Sequence, residues 1–477
     1  MMICKDFKYR ALMDKFEQIS AIPRGSYHEE RIVDFLVSFA EQRGLEYYTD
    51  DAKNVLIDLP ATKGYEDREP VLLQGHTDMV CEKNVGCEHD FLNDGLELYE
   101  EDGFIKARGT TLGADDGYAV AVMLAVLDGA LDAHPACQCL FTASEEVGLD
   151  GAKAFDYSRI FARKMINMDA AEEDKLIVGC SGGIRSDVNF EISYAQPRYK
   201  NTVKIAVGGL MGGHSGENIN DGRANAISVA IYLLQILREA VGVELVLISG
   251  GSKDNAIPRE CEMLLVTDDA DKLKMTVADF EAHIKAGLCA EDKGFFISVE
   301  KSDATEKVFS DEFTGRIIEF AKSIKLGVLR MSDKIEGLVE FSRNLGILRT
   351  EGDSLGFYFS SRSAIDEQIE CSMSEIEDNA ARLGGATSHH SRYPGWNYTG
   401  SSALADEYIE TAKSQGIDVQ RMAIHAGLEC GIVKNAIPDM DIISCGPNVY
   451  DLHSPMERMD IASYERFFGV IKAMLEK

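Results

Sequence analysis

His76 and Asp78 leave the end of an apolar run, "VLLQGHTDMV", one residue apart. Residues i and i+2 of a strand share a face, so Asp78 can accept a hydrogen bond from the His76 ring while the other ring nitrogen binds a metal ion. A strand-end histidine satisfied by a neighbour fits the same spacing. Further stretches also stop on ligand-type side chains. "TTLGADDGYAV" sets Asp115 and Asp116 in a glycine-containing turn ahead of a helix of small apolar residues, where they suit either an N-cap or a cation. "CQCLFTASEEVG" closes on Glu145 and Glu146, adjacent carboxylates that repel unless a cation lies beside them; a solvated loop start is the other reading. "KMINMDA" ends near Asp169, and "GPNVYDLHSPMERMDI" puts His453 in a loop between a buried strand and the last helix.

Taken together, His76, Asp115, Glu146, Asp169 and His453 supply two imidazoles and three carboxylates. That set suits two divalent ions sharing one carboxylate, and mixed nitrogen and oxygen ligation suits zinc, cobalt or manganese. Such a pair of ions makes water acidic enough to supply hydroxide near neutral pH. Glu145, outside the ligand set, is then free to act as general base and to carry the proton to a leaving amine.

These residues must be brought together by a sheet. The first third of the chain alternates strand-like and helix-like segments, "VLLQGHTD", "GYAVAVMLAVLDGAL", "CQCLFTASEE" and "KMINMDA", which predicts an α/β fold with functional residues at strand ends. Near residue 185 the texture changes to the polar–apolar alternation of "RSDVNFEISY" and "TVKIAVGGLMGGHSG", interleaved with helical stretches, and predicts a separate α+β domain. From "SRYPGWNYTG" helices and buried strands return. The expected organisation is a catalytic domain in two pieces, 1–185 and 393–477, with a second domain, 186–392, inserted and free to hinge. A chain of 477 residues is long enough for two cores.

A formal charge of −31 repels phosphate backbones and anionic headgroups, so neither nucleic acid nor a membrane is expected as a partner. The first residues lack the apolar core of a secretory signal, and no segment approaches the roughly 20 apolar residues of a membrane span, which predicts a cytoplasmic protein. The 11 cysteines follow no framework and read as reduced thiols. Cys137 and Cys139 suit strand core or half of a thiolate zinc site, and no second pair supports the latter.

The motifs "GHTDMV", "GTTLGADDG", "TASEEVG", "NMDA", "GGHSG" and "LHSPMER", in that order, resemble those of the dinuclear zinc metallopeptidases that include glutamate carboxypeptidase, aminoacylase and carnosinase. The resemblance implies an α/β catalytic domain with a mixed central sheet flanked by helices, and an inserted α+β lid that closes on substrate and mediates homodimerisation. It implies that His76, Asp115 and Asp169 hold one zinc and Asp115, Glu146 and His453 the other. Asp78 would orient His76, Glu145 would be the base, and the Asp115–Asp116 peptide would be cis. Relatives often read Asp-Asn-Gly where this chain reads Asp-Asp-Gly.

In the lid, the resemblance implies that His214 polarises the scissile carbonyl and that Asn255 and Arg362 meet the substrate's carbonyl and C-terminal carboxylate. Arg362 in "SSRSAID" reads equally as a solvated arginine on an edge strand. Glu429 in "HAGLECG" suits a substrate amine or packing support, and His389-His390 reads as a hinge or surface loop. The implied substrates are small unblocked dipeptides, broadly accepted and including those ending in histidine. An aminoacylase, a tripeptidase and a non-catalytic protein are the other readings of this scaffold.

Overall fold

Val71–His76 and Cys137–Thr142 are buried at every position and run parallel to each other, with Lys164–Asn167 parallel on the other side of Val71–His76. Strands covered on both faces carry near-continuous apolar runs, which is the pattern these segments show. In the computed structural model, which describes residues 3–477, they form the centre of an eight-stranded sheet. Its order is Glu46–Thr49, Val55–Leu59, Cys137–Thr142, Val71–His76, Lys164–Asn167, Asp441–Ser444, Lys175–Cys180 and Gln420–Ile424. Asp441–Ser444 pairs parallel with Lys164–Asn167, so the C-terminal part of the chain does complete the first sheet. The two strands at the other end, Glu46–Thr49 and Val55–Leu59, add antiparallel.

The helix Ala114–Leu127 is apolar all round, buried from Gly117 to Leu127, and packs against Val71–His76. Its close approach depends on Gly75, where a Cβ would stand 2.7 Å from Ala119 Cβ. Cys137 and Cys139 have no exposed surface, so they are strand core and not half of a zinc site.

The chain divides into two compact units. One runs to Cys180 and resumes over Tyr398–Ala423 and Leu428–Lys477; the other comprises Ser181–Asn397 with Ile424–Gly427. The second unit is built on an antiparallel sheet in the order Phe296–Lys301, Asn201–Gly208, Cys261–Thr267, Val243–Gly250, Val339–Glu351, Ser354–Ser363, Gly182–Glu191 and Ala386–Tyr393, with Gly327–Met331 added alongside Val339–Glu351. The helices Ala226–Ala240, Ala270–Lys285 and Asp311–Ser323 close its apolar core, where Phe320 meets Phe190 and Phe357 edge-on. His389 and His390 lie in the strand Ala386–Tyr393, paired with Ser186 and Arg185, so they belong to a sheet edge and not to a hinge or loop. Among the described residues no helix is long and apolar enough to cross a membrane.

Candidate metal centre

His76 stands opposite Thr142 in the parallel pair, so the segments leaving those two strands start side by side. Asp78, fully buried, ties them together. Its Oδ1 accepts the Glu145 backbone N–H at 3.0 Å, and its Oδ2 accepts that of Glu146 at 3.3 Å and the Ser26 hydroxyl at 2.8 Å. The His76 Nδ1 is 3.2 Å from the main-chain oxygen of Asp78 and 3.4 Å from its carboxylate. The strand stops at His76, and the Asp78 carboxylate is divided between the His76 ring and the glutamate turn.

Asp115 faces both histidines. Its Oδ1 is 3.0 Å from His76 Nε2 and its Oδ2 is 3.2 Å from His453 Nε2. Neither Asp115 nor Asp116 caps the following helix; both have non-helical backbone, and the peptide between them is cis, as the resemblance implies. The Asp116 carboxylate accepts the His76 backbone N–H at 3.1 Å. His453 has φ 59 and Ser144, just before the glutamates, φ 52, a left-handed backbone that L-residues adopt at a cost when surroundings impose it.

Three groups of possible ligand atoms each lie within 4.8 Å of one another: His76, Asp115 and Asp169; Asp115, Glu146 and His453; and His76, Glu145 and Glu146. All five expected ligands, with Glu145, therefore meet in one place. The donor set fits divalent ions. The Glu146 Oε1 is buried and makes no hydrogen bond, although His453 Nε2 is 3.1 Å away. Burial, then the charge of Asp115, pushes the Asp169 carboxyl up to about 7. Burial pushes Glu145 well above the usual carboxylate range, opposed by His76 and reinforced by Asp169 and Glu146. His453 is raised to about 11 by its bonds to Asp115 and Glu146, and His76 is raised, against the pull of burial, by Asp115 and Asp78. Divalent cations held by these residues would meet that demand for positive charge and displace the imidazole protons.

Two residues that position this cluster went unnoticed in the sequence. Glu457, 3% exposed, accepts the backbone N–H groups of Leu112, Gly113, Ala114 and Asp115 at 2.7, 2.9, 2.8 and 3.2 Å. Arg24, fully buried, donates to the main-chain oxygens of Thr77 at 3.0 Å, Asp78 at 3.1 Å and Gly113. Glu429 is also buried; its Oε2 takes the Thr142 hydroxyl at 2.7 Å and the Gln74 amide, while its Oε1 has no partner. Burial raises its carboxyl to about 7.

His214, Asn255 and Arg362 come together within the second unit. Gly213–His214 pairs with Ala256–Ile257, and the Ser215 N–H donates to the Asn255 carbonyl at 2.9 Å. Arg362 is 4% exposed on the interior strand Ser354–Ser363, so it is not a solvated arginine on an edge strand. Its Nη2 is 3.3 Å from His214 Nε2. Burial, then Arg362, holds the His214 imidazole down to about 4, so the ring is neutral near pH 7.

The chain is 34% identical over 474 residues to the cytosol non-specific dipeptidase of Escherichia coli K12, covering 98% of this chain and 97% of that one. Among solved structures it resembles the aminoacylhistidine dipeptidase of Vibrio alginolyticus, with 33% identity, a TM-score of 0.89 and coverage of 98% and 97%. An aminopeptidase from Bacillus cereus, 15% identical with a TM-score of 0.57 over 98% of each chain, shares the fold. Residues 72–477, the span that holds every one of the clustered carboxylates and imidazoles, match peptidase family M20/M25/M40, and to that family of metallopeptidases the chain belongs.

Proposed function

We propose that the protein hydrolyses the peptide bond of unblocked dipeptides in the cytoplasm, using two divalent ions, most suitably zinc. The observation that carries this reading is Asp115, which offers one carboxylate oxygen to the group with His76 and the other to the group with His453. His76, Asp115 and Asp169 hold one ion, and Asp115, Glu146 and His453 the other. When bound, the ions supply Lewis acidity to the scissile carbonyl and to water.

The chain's own residues do the rest. Glu145, made a stronger base by burial, takes the proton from water as a carboxylate and passes it to the leaving amine. Asp78 fixes the turn that carries both glutamates. His214, neutral, donates to the carbonyl oxygen as charge develops there, Asn255 assists it, and Arg362 receives the C-terminal carboxylate. Substrate breadth, including aminoacyl-histidine dipeptides, a cytosolic setting and a homodimer formed through the second unit complete the reading. Its support is the likeness to two relatives named as dipeptidases across nearly their whole length.

The test is a substrate panel on metal-loaded protein: dipeptides, tripeptides and N-acyl amino acids. Hydrolysis of dipeptides with free termini is expected; activity confined to acylated amino acids overturns the proposal.

A further inference from the structure

Arg362, Gly183 and Tyr393 occupy one cross-strand row. Ser354–Ser363 and Ala386–Tyr393 flank Gly182–Glu191, and the register sets Arg362 opposite Gly183 and Gly183 opposite Tyr393. The middle residue has no side chain, so the Tyr393 phenol lies across it and reaches the guanidinium. The Arg362 Nη1 donates to Tyr393 Oη at 2.8 Å. A Cβ on Gly183 would stand 2.6 Å from that oxygen, and one on Gly427 would stand 2.8 Å from Cε2 of the same ring. The ring sits in a slot that glycine alone leaves open on both sides.

An arginine grips a carboxylate best with two parallel N–H groups along one edge of the fork. Elsewhere in this chain Arg466 does so with Nε and Nη2 against the two oxygens of Glu173. In Arg362 that same edge holds no carboxylate. Its Nε is buried with no hydrogen-bond partner. Its Nη2 faces His214 Nε2, but His214 Nδ1 accepts the Glu217 N–H at 3.2 Å, which leaves the proton of the neutral ring on Nε2. Nη2 thus meets a donor. Tyr393 holds the one terminal nitrogen that edge-on recognition does not use.

We propose that Tyr393 is a positioning residue that reserves the Nε and Nη2 edge of Arg362 for the free C-terminal carboxylate of the substrate, and so sets the preference for dipeptides over their C-terminal amides. The inference rests on the dipeptidase reading above, in which Arg362 receives that carboxylate.

Steady-state kinetics of the metal-loaded enzyme on one dipeptide and its C-terminal amide test it. In Tyr393→Phe the KM for the free dipeptide is expected to rise about tenfold, with kcat within about twofold and the KM for the amide unchanged. Should Tyr393→Phe fail to fold by thermal melting, Gly183→Ala, which displaces the hydroxyl and keeps it, is expected to give the same split. A rise in KM for acid and amide alike, or no change for either, overturns the role of Tyr393. Arg362→Ala is the reference: its loss of discrimination upholds the carboxylate reading independently of Tyr393, and retained discrimination removes both.

Discussion

The carboxylate of Glu457 receives the backbone N–H of Asp115 at 3.2 Å, the last of four consecutive N–H groups it accepts. One buried anion thereby fixes the turn that presents the aspartate facing both histidines. Helix starts leave such donors free, and here a side chain from far along the chain satisfies them.

Glu457→Gln keeps the shape but gives one oxygen and an NH2 where two oxygens stood, so an amide donor faces backbone donors. Metal affinity is expected to fall about 10- to 100-fold, read by competition with a chromophoric chelator. Unchanged affinity would mean that the turn is held by Arg24 alone.

Glu145 lies outside both ligand groups that share Asp115. Glu145→Gln is expected to lower turnover by about 10²- to 10⁴-fold while the metal content measured by mass spectrometry stays at the wild-type ratio. Wild-type turnover in this variant would remove the glutamate from proton transfer.

Chelator is expected to abolish activity in the wild type, and zinc, cobalt or manganese to restore it. Asp115→Ala loses a ligand common to both groups, so added metal is expected not to restore it, and its metal-to-protein ratio falls below that of the wild type. Full activity in stripped protein would reject the metal mechanism.

His425 is buried, with its Nε2 2.7 Å from the Ser342 hydroxyl, and burial followed by the charge of Arg362 pushes its imidazole down to about 3. An unfolded chain takes up that proton near the ordinary value of 6.5. The stability due to a neutral His425 is therefore whole above that value and is lost as pH falls from 6.5 toward 3, by at most about 1.4 kcal/mol per pH unit. Melting temperatures at about pH 7.5 and about pH 5 should fall further apart in the wild type than in His425→Asn. Equal losses in both proteins would assign the acid sensitivity elsewhere.

The strand ends were legible because central strands buried on both faces run apolar until they stop, and His76, Glu145 and Asp169 stand just where Val71–His76, Cys137–Thr142 and Lys164–Asn167 end. The pairing of ligands came from motif resemblance, since no periodicity tells which loops face one another. Arg24 and Glu457 stayed hidden for the opposite reason. Each is a charged residue in a loop, the usual mark of a solvated surface, and the carbonyls and N–H groups that bury them lie far off in sequence. Arg362 misled because Ser360, Ser361 and Ser363 around it are polar yet buried, so composition pointed to an edge where the sheet has an interior.

Asp441–Ser444 is wedged between Lys164–Asn167 and Lys175–Cys180, strands made long before it. Without that strand Lys164–Asn167 lacks its parallel partner and shows a bare edge, which invites wrong pairing. His453 follows that strand in the chain. The ligand group that joins Asp115 and Glu146 to His453 is therefore complete only in a chain that reaches beyond the inserted strand.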